Sequence, residues 1–212
     1  MRVFPLTVGP LQACCYIIAP DQEQDAAVID PGGDAELIVS QVRYRKLVPR
    51  FILVTHGHID HVQAVAAVKR AFPEAPLCIG EDDADMLASA GAALADLIGL
   101  PFEPCPPDRL LADGDALSLG PETLEVLHTP GHTPGGVCFL VRREGQPGIL
   151  FSGDTLFAGG IGRTDFPGGS YVQLLDSIQQ RLFALPDDTV VYPGHGDPTT
   201  IGEERRTNPF LR

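Results

Sequence analysis

Three imidazoles and a carboxylate fall within six consecutive positions, His56-Gly57-His58-Ile59-Asp60-His61, directly after the apolar run Phe51-Ile52-Leu53-Val54. A short continuous apolar run bounded by turn residues reads as a strand buried in a core. The chain therefore sets its densest group of metal-type donors where such a strand leaves the interior. A solvated loop is the bland alternative, and it is the weaker one. Donors crowded beside buried backbone carry a desolvation cost that a bound cation offsets.

The other histidines repeat this placement. His128, His132 in "PGHTPGG" and His195 in "PGHG" follow apolar strands at turns rich in Gly and Pro, and Asp154 stands in a similar turn, "FSGDTLF". Side chains that leave several strands at one sheet edge converge in space although they are distant in sequence, and the expected site rests on that convergence. His128 is set apart, because a single His near a strand end is more often a surface or hydrogen-bonding residue than a ligand. Neutral imidazole with carboxylate suits Zn²⁺, Fe or Mn, whereas a structural zinc would recruit thiolates. Seven donors, His56, His58, Asp60, His61, His132, Asp154 and His195, are too many for one tetrahedral ion. Two divalent ions use them and still leave coordination positions for water, which marks a catalytic metal.

Strand and helix order supports convergence at an edge. Residues 1–30 alternate short apolar runs with Pro and Gly and close in "VIDPGGD", the pattern of a strand meander. Asp34 is placed to cap a helix running to about residue 47, in which Leu37, Ile38, Gln41 and Val42 keep helical spacing. A strand at 51–55 follows, then a helix over 61–72 and a second helix near 83–90, with helix and loop over 91–107. Strands are expected at 116–119, 123–127, 137–141, 148–152 and 189–192. Ser170 and Gln173 form a capping box, after which Tyr171, Leu174, Leu175, Ile178 and Leu182 line one helical face. This order fits an α/β layered chain in which two sheets pack face to face with helices outside, better than regular βαβ alternation.

Composition narrows the function. Apolar residues at 44% and charged residues at 20% supply a core in a chain of 212 residues, and a single domain over 1–212 is expected. The net charge of −13, without any run of Lys and Arg, speaks against a nucleic-acid partner. Five cysteines, Cys14, Cys15, Cys78, Cys105 and Cys138, are odd in number and form no C-x-x-C pair, so they read as reduced thiols in packed strands. The amino terminus lacks the charged and apolar blocks of a signal sequence, and no stretch approaches the ~18 apolar residues of a membrane span. A soluble cytoplasmic protein with no membrane partner is expected; the oligomeric state is left open.

"HGHIDH", "PGHTPGG", "SGDTLF" and "PGHG", in this order, resemble the metal motifs of the metallo-β-lactamase fold hydrolases, over a match running from "VIDPGGD" to the carboxy terminus. Within that superfamily "SGDTLFAGGIGRTDFPGGS" and the ending "NPFLR" resemble the short glyoxalase II proteins, hydroxyacylglutathione hydrolases that cleave a thioester. The resemblance implies an αββα sandwich of two mixed sheets with the metals at one edge. It also implies a ligand partition: His56, His58 and His132 on one ion, Asp60, His61 and His195 on the other, and Asp154 shared. Zn²⁺ is the expected metal, with Fe or Mn as alternatives.

A water held between two cations has its pKa lowered toward neutrality, so hydroxide attacks the carbonyl without a protein nucleophile, and Asp60 is the expected catalytic residue that orients it. The expected partner is a small glutathione-linked thioester. A thiolate leaves readily, since thiols have pKa of about 8.5, and needs no dedicated general acid. The family's loop Lys is matched by Arg163 in "GIGRTD", where it either pairs with a substrate carboxylate or bridges Asp165. The family's loop tyrosine is replaced near Asp165, and the aromatic after its last histidine is replaced by "GHGDPTT". The rival reading is a persulfide dioxygenase of the same fold, which shares "GRTDF" and holds one iron at positions matching His56, His132 and Asp154. Hydrolysis of another ester, a lactone or a phosphodiester, and a non-catalytic metal-binding module, complete the alternatives.

Overall fold

The computed structural model describes residues 1–87 and 99–211. Its first sheet takes the strands in spatial and chain order: β1 (Arg2–Val8), β2 (Ala13–Ala19), β3 (Asp25–Ile29), β4 (Val48–Leu53), β5 (Leu77–Gly80) and β6 (Arg109–Leu111). The meander β1–β2–β3 is antiparallel, and β3 through β6 pair in parallel. The second sheet is built from β7 (Ala116–Leu119), β8 (Glu122–His128), β9 (Val137–Val141), β10 (Ile149–Gly153), β13 (Val190–Pro193) and β14 (Thr199–Thr200). Its spatial order is β14-β13-β10-β9-β8-β7, with β10 and β13 parallel and the other pairs antiparallel. A small hairpin, β11 (Leu156–Phe157) with β12 (Gly160–Ile161), follows β10.

Strand alternation builds the layers. Along β2, Tyr16 and Ile18 enter the core between the sheets, where Phe139 and Phe151 pair across β9 and β10, whereas Cys15, Ile17 and Ala19 face the other way. That outer face is covered by α1 (Ala35–Tyr44), α2 (Ile59–Val62) and α3 (Val65–Ala71) through Ile38, Val42, Val62, Val65 and Val68. On the far side of the second sheet, Leu140, Leu150 and Val191 meet Leu174 of α4 (Tyr171–Ser177), Ile178 and Leu182 of the π turn that follows it, and Ile201 of α5 (Ile201–Thr207). The result is the expected αββα sandwich. Because β2, β9 and β10 are covered on both faces, their sequences run apolar without alternation.

Several local expectations are corrected. Asp34 precedes α1 but does not cap it: its φ of 47° turns the side chain away, and Oδ2 accepts from the Gly9 amide at 2.8 Å instead. The helix stops at Tyr44, short of residue 47, and Leu37 is exposed. The single helix expected over 61–72 is two, since the Ala64 amide donates to the Pro31 carbonyl at 2.9 Å and breaks the ladder. Ser170 does cap α4, accepting from the Gln173 amide, but Tyr171 is exposed rather than on the buried face. Cys105 lies outside any strand, unlike the other four thiols. Strands β5, β6 and β14 and helix α5 were not foreseen; the first three are short and the last is mostly charged. Glu81–Asp83 forms a 3₁₀ turn, and the helix expected near 83–90 falls outside the described residues beyond position 87. Among the described residues no helix is long and apolar enough to cross a membrane.

Topology sets where the donors go. Strands β3 and β4 are parallel, so Asp30 and the loop from Thr55 to His61 leave the first sheet at one edge. Strands β8, β10 and β13 share a direction, because β8 and β10 are each antiparallel to β9 and β10 is parallel to β13. Their carboxy ends deliver His132, Asp154 and His195 to the matching edge of the second sheet.

Candidate metal centre

The seven expected donors meet at that edge. His132 Nε2 lies 2.8 Å from His58 Nδ1 and 3.2 Å from His56 Nε2. His61 Nε2 lies 3.3 Å from Asp154 Oδ1 and 3.6 Å from Asp60 Oδ2, and His195 Nε2 lies 3.1 Å from the same Asp60 oxygen. Asp154 faces both sets, with Oδ2 at 3.5 Å from His132 Nε2 and 3.8 Å from His195 Nε2. Three groups of donor atoms lie mutually within 4.8 Å: His56, His58 and His132; His56, His61 and Asp154; Asp60, His61 and His195. His128 stands apart, its ring Nε2 donating to the Pro134 carbonyl at 2.9 Å.

Hydrogen bonds behind the imidazoles decide which nitrogen faces the centre. His132 Nδ1 lies 2.7 Å from the Arg163 carbonyl, which only accepts, so Nδ1 carries the proton and Nε2 presents its lone pair. Asp30 does the same for His61 at 3.1 Å. Thr55 Oγ1 spends its own hydrogen on Asp30 Oδ2 at 2.7 Å, which leaves it as the acceptor for His56 Nδ1 at 3.1 Å. Asp30 thus sets two ring orientations, one directly and one through Thr55, as metal-binding histidines require.

The donor set fits divalent cations. His61 Nε2 and Asp154 Oδ1 are buried, face each other, and have no hydrogen-bond partner, an arrangement that a cation between them would satisfy. Burial and neighbouring imidazoles hold His56 well below the usual histidine range and bring His58 down to about 4, so both are neutral and available as ligands. Burial works against the ionised form of Asp60, but His195 and His61 outweigh it and lower its pKa. At His61 burial disfavours the proton, and the carboxylates of Asp154 and Asp30 more than reverse that, so a cation binding Nε2 would displace a proton there while Nδ1 keeps its bond to Asp30. Gly194 makes the packing feasible: a Cβ there would stand 2.1 Å from Asp154 Oδ1 and 2.8 Å from His61 Cε1.

Two positioning residues escaped the sequence reading. Asp30 follows an apolar strand just as the ligand loops do, and that signal could have found it. Asp83 had no such signal, because the acidic run "EDDAD" reads as a solvated turn. It is fully buried and accepts from the Gly57 amide at 3.0 Å and the Gly135 amide at 2.7 Å, tying the two histidine loops together. Replacing Asp83 by Ala leaves both amides without acceptors, at roughly 1–3 kcal/mol each. The expected result is a melting temperature lower by about 5–15 °C by calorimetry; an unchanged value would show that the loops hold each other without it.

The centre floors a cleft of about 710 Å³, where His58, Asp60, His132, Asp154 and His195 meet apolar walls from Leu11, Ile59, Leu100, Phe157, Ile161 and Phe166. Arg163 stands at its mouth, and the structure favours the second reading of its side chain. Nε and Nη2 each donate to Asp165 at 2.7 Å, and the guanidinium stacks 3.8 Å from the Phe166 ring.

Comparison with known proteins agrees with this architecture. Residues 8–195 match the family described as the metallo-beta-lactamase superfamily. The chain is 41% identical to the "Hydroxyacylglutathione hydrolase GloC" of Haemophilus influenzae, over 100% of this chain and 98% of that protein. Two solved structures are similar throughout: the BLEG-1 B3 metallo-beta-lactamase, 40% identical with a TM-score of 0.91 over 99% of both chains, and TTHA1623 in a di-iron-bound form. The latter is 40% identical with a TM-score of 0.87, over 98% of this chain and 100% of that one.

Proposed function

The chain belongs to the metallo-β-lactamase superfamily, and on that premise we propose that it is a metal-dependent thioester hydrolase of the glyoxalase II type, cleaving hydroxyacyl-glutathiones such as S-lactoylglutathione. The observation that carries the reading is the make-up of the cleft: metal-type donors floor it, and among the described residues no Ser, Cys or Lys lines it. An attacking group must then come from solvent. The full-length similarity to a hydroxyacylglutathione hydrolase supports the choice of thioester.

In this reading His56, His58 and His132 would hold one divalent cation, Asp60, His61 and His195 would hold the second, and Asp154 would serve both. Such a pair supplies Lewis acidity and lowers the pKa of water toward neutrality. The protein's part is orientation. Asp60, whose carboxylate stays ionised, lines the cleft and accepts the hydrogen bond of the attacking water, fixing its direction. The apolar walls exclude competing solvent and strengthen the electrostatics inside. A departing thiolate, with a thiol pKa of about 8.5, leaves without a proton donor. Arg163 has two of its five N–H donors committed to Asp165 and its guanidinium stacked on Phe166, so its part in this reading is to hold the loop whose carbonyl orients His132.

Elemental analysis coupled to hydrolysis assays tests the proposal. Two metal equivalents per chain, loss of S-lactoylglutathione cleavage with a chelator and recovery on returning metal are expected. Undiminished cleavage by the chelated protein, or none by protein carrying both equivalents, would refute it. One equivalent of iron with O₂ consumption on glutathione persulfide would establish the dioxygenase instead, and preferential opening of β-lactams a lactamase.

A further inference from the structure

Residues 201–208 have no part in the proposed metal site, yet they bond to the hairpin that walls the cleft. Glu204 of α5 is almost fully buried and takes three donors: Thr199 Oγ1 at 2.6 Å on Oε1, and the Gly159 amide at 2.9 Å and Asn208 Nδ2 at 2.8 Å on Oε2. Asn208, equally buried, also donates to the Gly160 carbonyl at 3.0 Å and accepts from the Phe210 amide at 3.0 Å. Together they grip the tip of the β11–β12 hairpin through one amide and one carbonyl.

That hairpin has two residues in each strand, too few to hold a shape unaided. Ser152 Oγ donates to the Leu156 carbonyl at 2.9 Å at its other end. Between these anchors the hairpin presents Phe157 and Ile161 to the cleft, with the Phe157 ring edge-on to His195 at 6.3 Å between centroids. It then runs straight into Arg163, whose carbonyl holds His132. A buried carboxylate is destabilising unless its lone pairs are used. Here they are used to hold the tip of a hairpin whose base is anchored by buried Leu156 but whose turn residues, Ala158 and Gly159, are exposed.

We propose that Glu204 and Asn208 are positioning residues that lock Phe157 and Ile161 into a fixed apolar wall for the acyl group, so that the enzyme favours thioesters with extended or aryl acyl chains over the smallest ones. The proposal rests on the thioester reading above. A fixed wall rewards each buried methylene by about 4-fold in kcat/KM, the equivalent of ~0.8 kcal/mol; a mobile one does not.

The test uses the metal-loaded protein and its Asn208→Ala, Glu204→Gln and Phe157→Ala variants. Kinetics are measured on acyl-glutathiones from acetyl to hexanoyl, with metal stoichiometry and hydrogen exchange over residues 156–161 alongside. Asn208→Ala should raise KM for the hexanoyl substrate by ~10-fold and for the acetyl substrate by less than ~2-fold, with unchanged metal content and faster exchange in the hairpin. Glu204→Gln keeps an acceptor for the Gly159 amide and should retain most of the chain-length dependence. Phe157→Ala should flatten it, and adding Asn208→Ala should flatten it no further. Unchanged exchange in Asn208→Ala, or an equal loss of kcat on all chain lengths accompanied by metal loss, would overturn the proposal. If the wild type cleaves no thioester, the functional reading fails, and the exchange measurement still decides whether the latch exists.

Discussion

Asp154→Ala is expected to lose most of its bound metal and at least ~10³-fold in kcat/KM on S-lactoylglutathione. The residue is a carboxylate that faces both groups, with Oδ1 toward His61 and Oδ2 toward His132 and His195. Its removal takes a negative charge from between imidazoles that already repel one another when protonated, and among the described residues no other carboxylate forms an ion pair with His132. Asp60 is directed to His61 and His195. In the proposed two-metal site alanine would therefore leave each cation one ligand short and remove the link that would hold the pair at a fixed separation. Elemental analysis separates this from misfolding, since circular dichroism of the variant should match the wild type. Full occupancy with full activity would remove the bridging role.

What was legible in the chain, and what was not, follows from how each feature is encoded. The ligand loops could be read because donors placed after apolar strands are locally anomalous, and His56, His58, Asp60 and His61 are anomalous within a single turn. Alternation in β7, a continuous apolar run in β9 and helical spacing in α4 likewise exposed those elements, each close to its observed bounds. Asp83 was hidden because its partners, the amides of Gly57 and Gly135, are defined only by the folded backbone. Asp34 misled for a related reason: a capping residue needs extended backbone, and a left-handed φ cannot be seen from residue type. Arg163 shows both limits. Its charge suggested an anion partner, which Asp165 supplies, while its contribution to His132 comes through a carbonyl that any residue could provide. The latch of Glu204 and Asn208 joins residues more than forty positions from the hairpin they hold, beyond the reach of any local pattern.

Asp30→Asn should weaken metal binding at the His61 side by ~10–100-fold while leaving the fold intact. Asparagine is the informative replacement, because Asp30 has a φ of 50° and Asn tolerates that region better than most residues. Asp30 accepts three hydrogen bonds: Oδ1 from the Thr55 amide at 2.7 Å, and Oδ2 from Thr55 Oγ1 at 2.7 Å and His61 Nδ1 at 3.1 Å. If the new carbonyl stays with the amide, the NH₂ group meets two donors. Thr55 relieves one conflict by rotating its hydroxyl to accept, but it can then no longer orient His56 Nδ1 as before. His61 relieves the other by moving its proton from Nδ1 to Nε2, which buries an N–H where a lone pair is needed. Each tenfold loss of affinity corresponds to about 1.4 kcal/mol, within what one misplaced buried proton costs. Competition titration with a chromophoric chelator measures the affinity, and the ¹⁵N shifts of the His61 ring report the tautomer. Wild-type affinity with the proton still on Nδ1 would show that Asp30 does not set the ligand nitrogen. An altered tautomer with weakened binding at that side alone would show that it does.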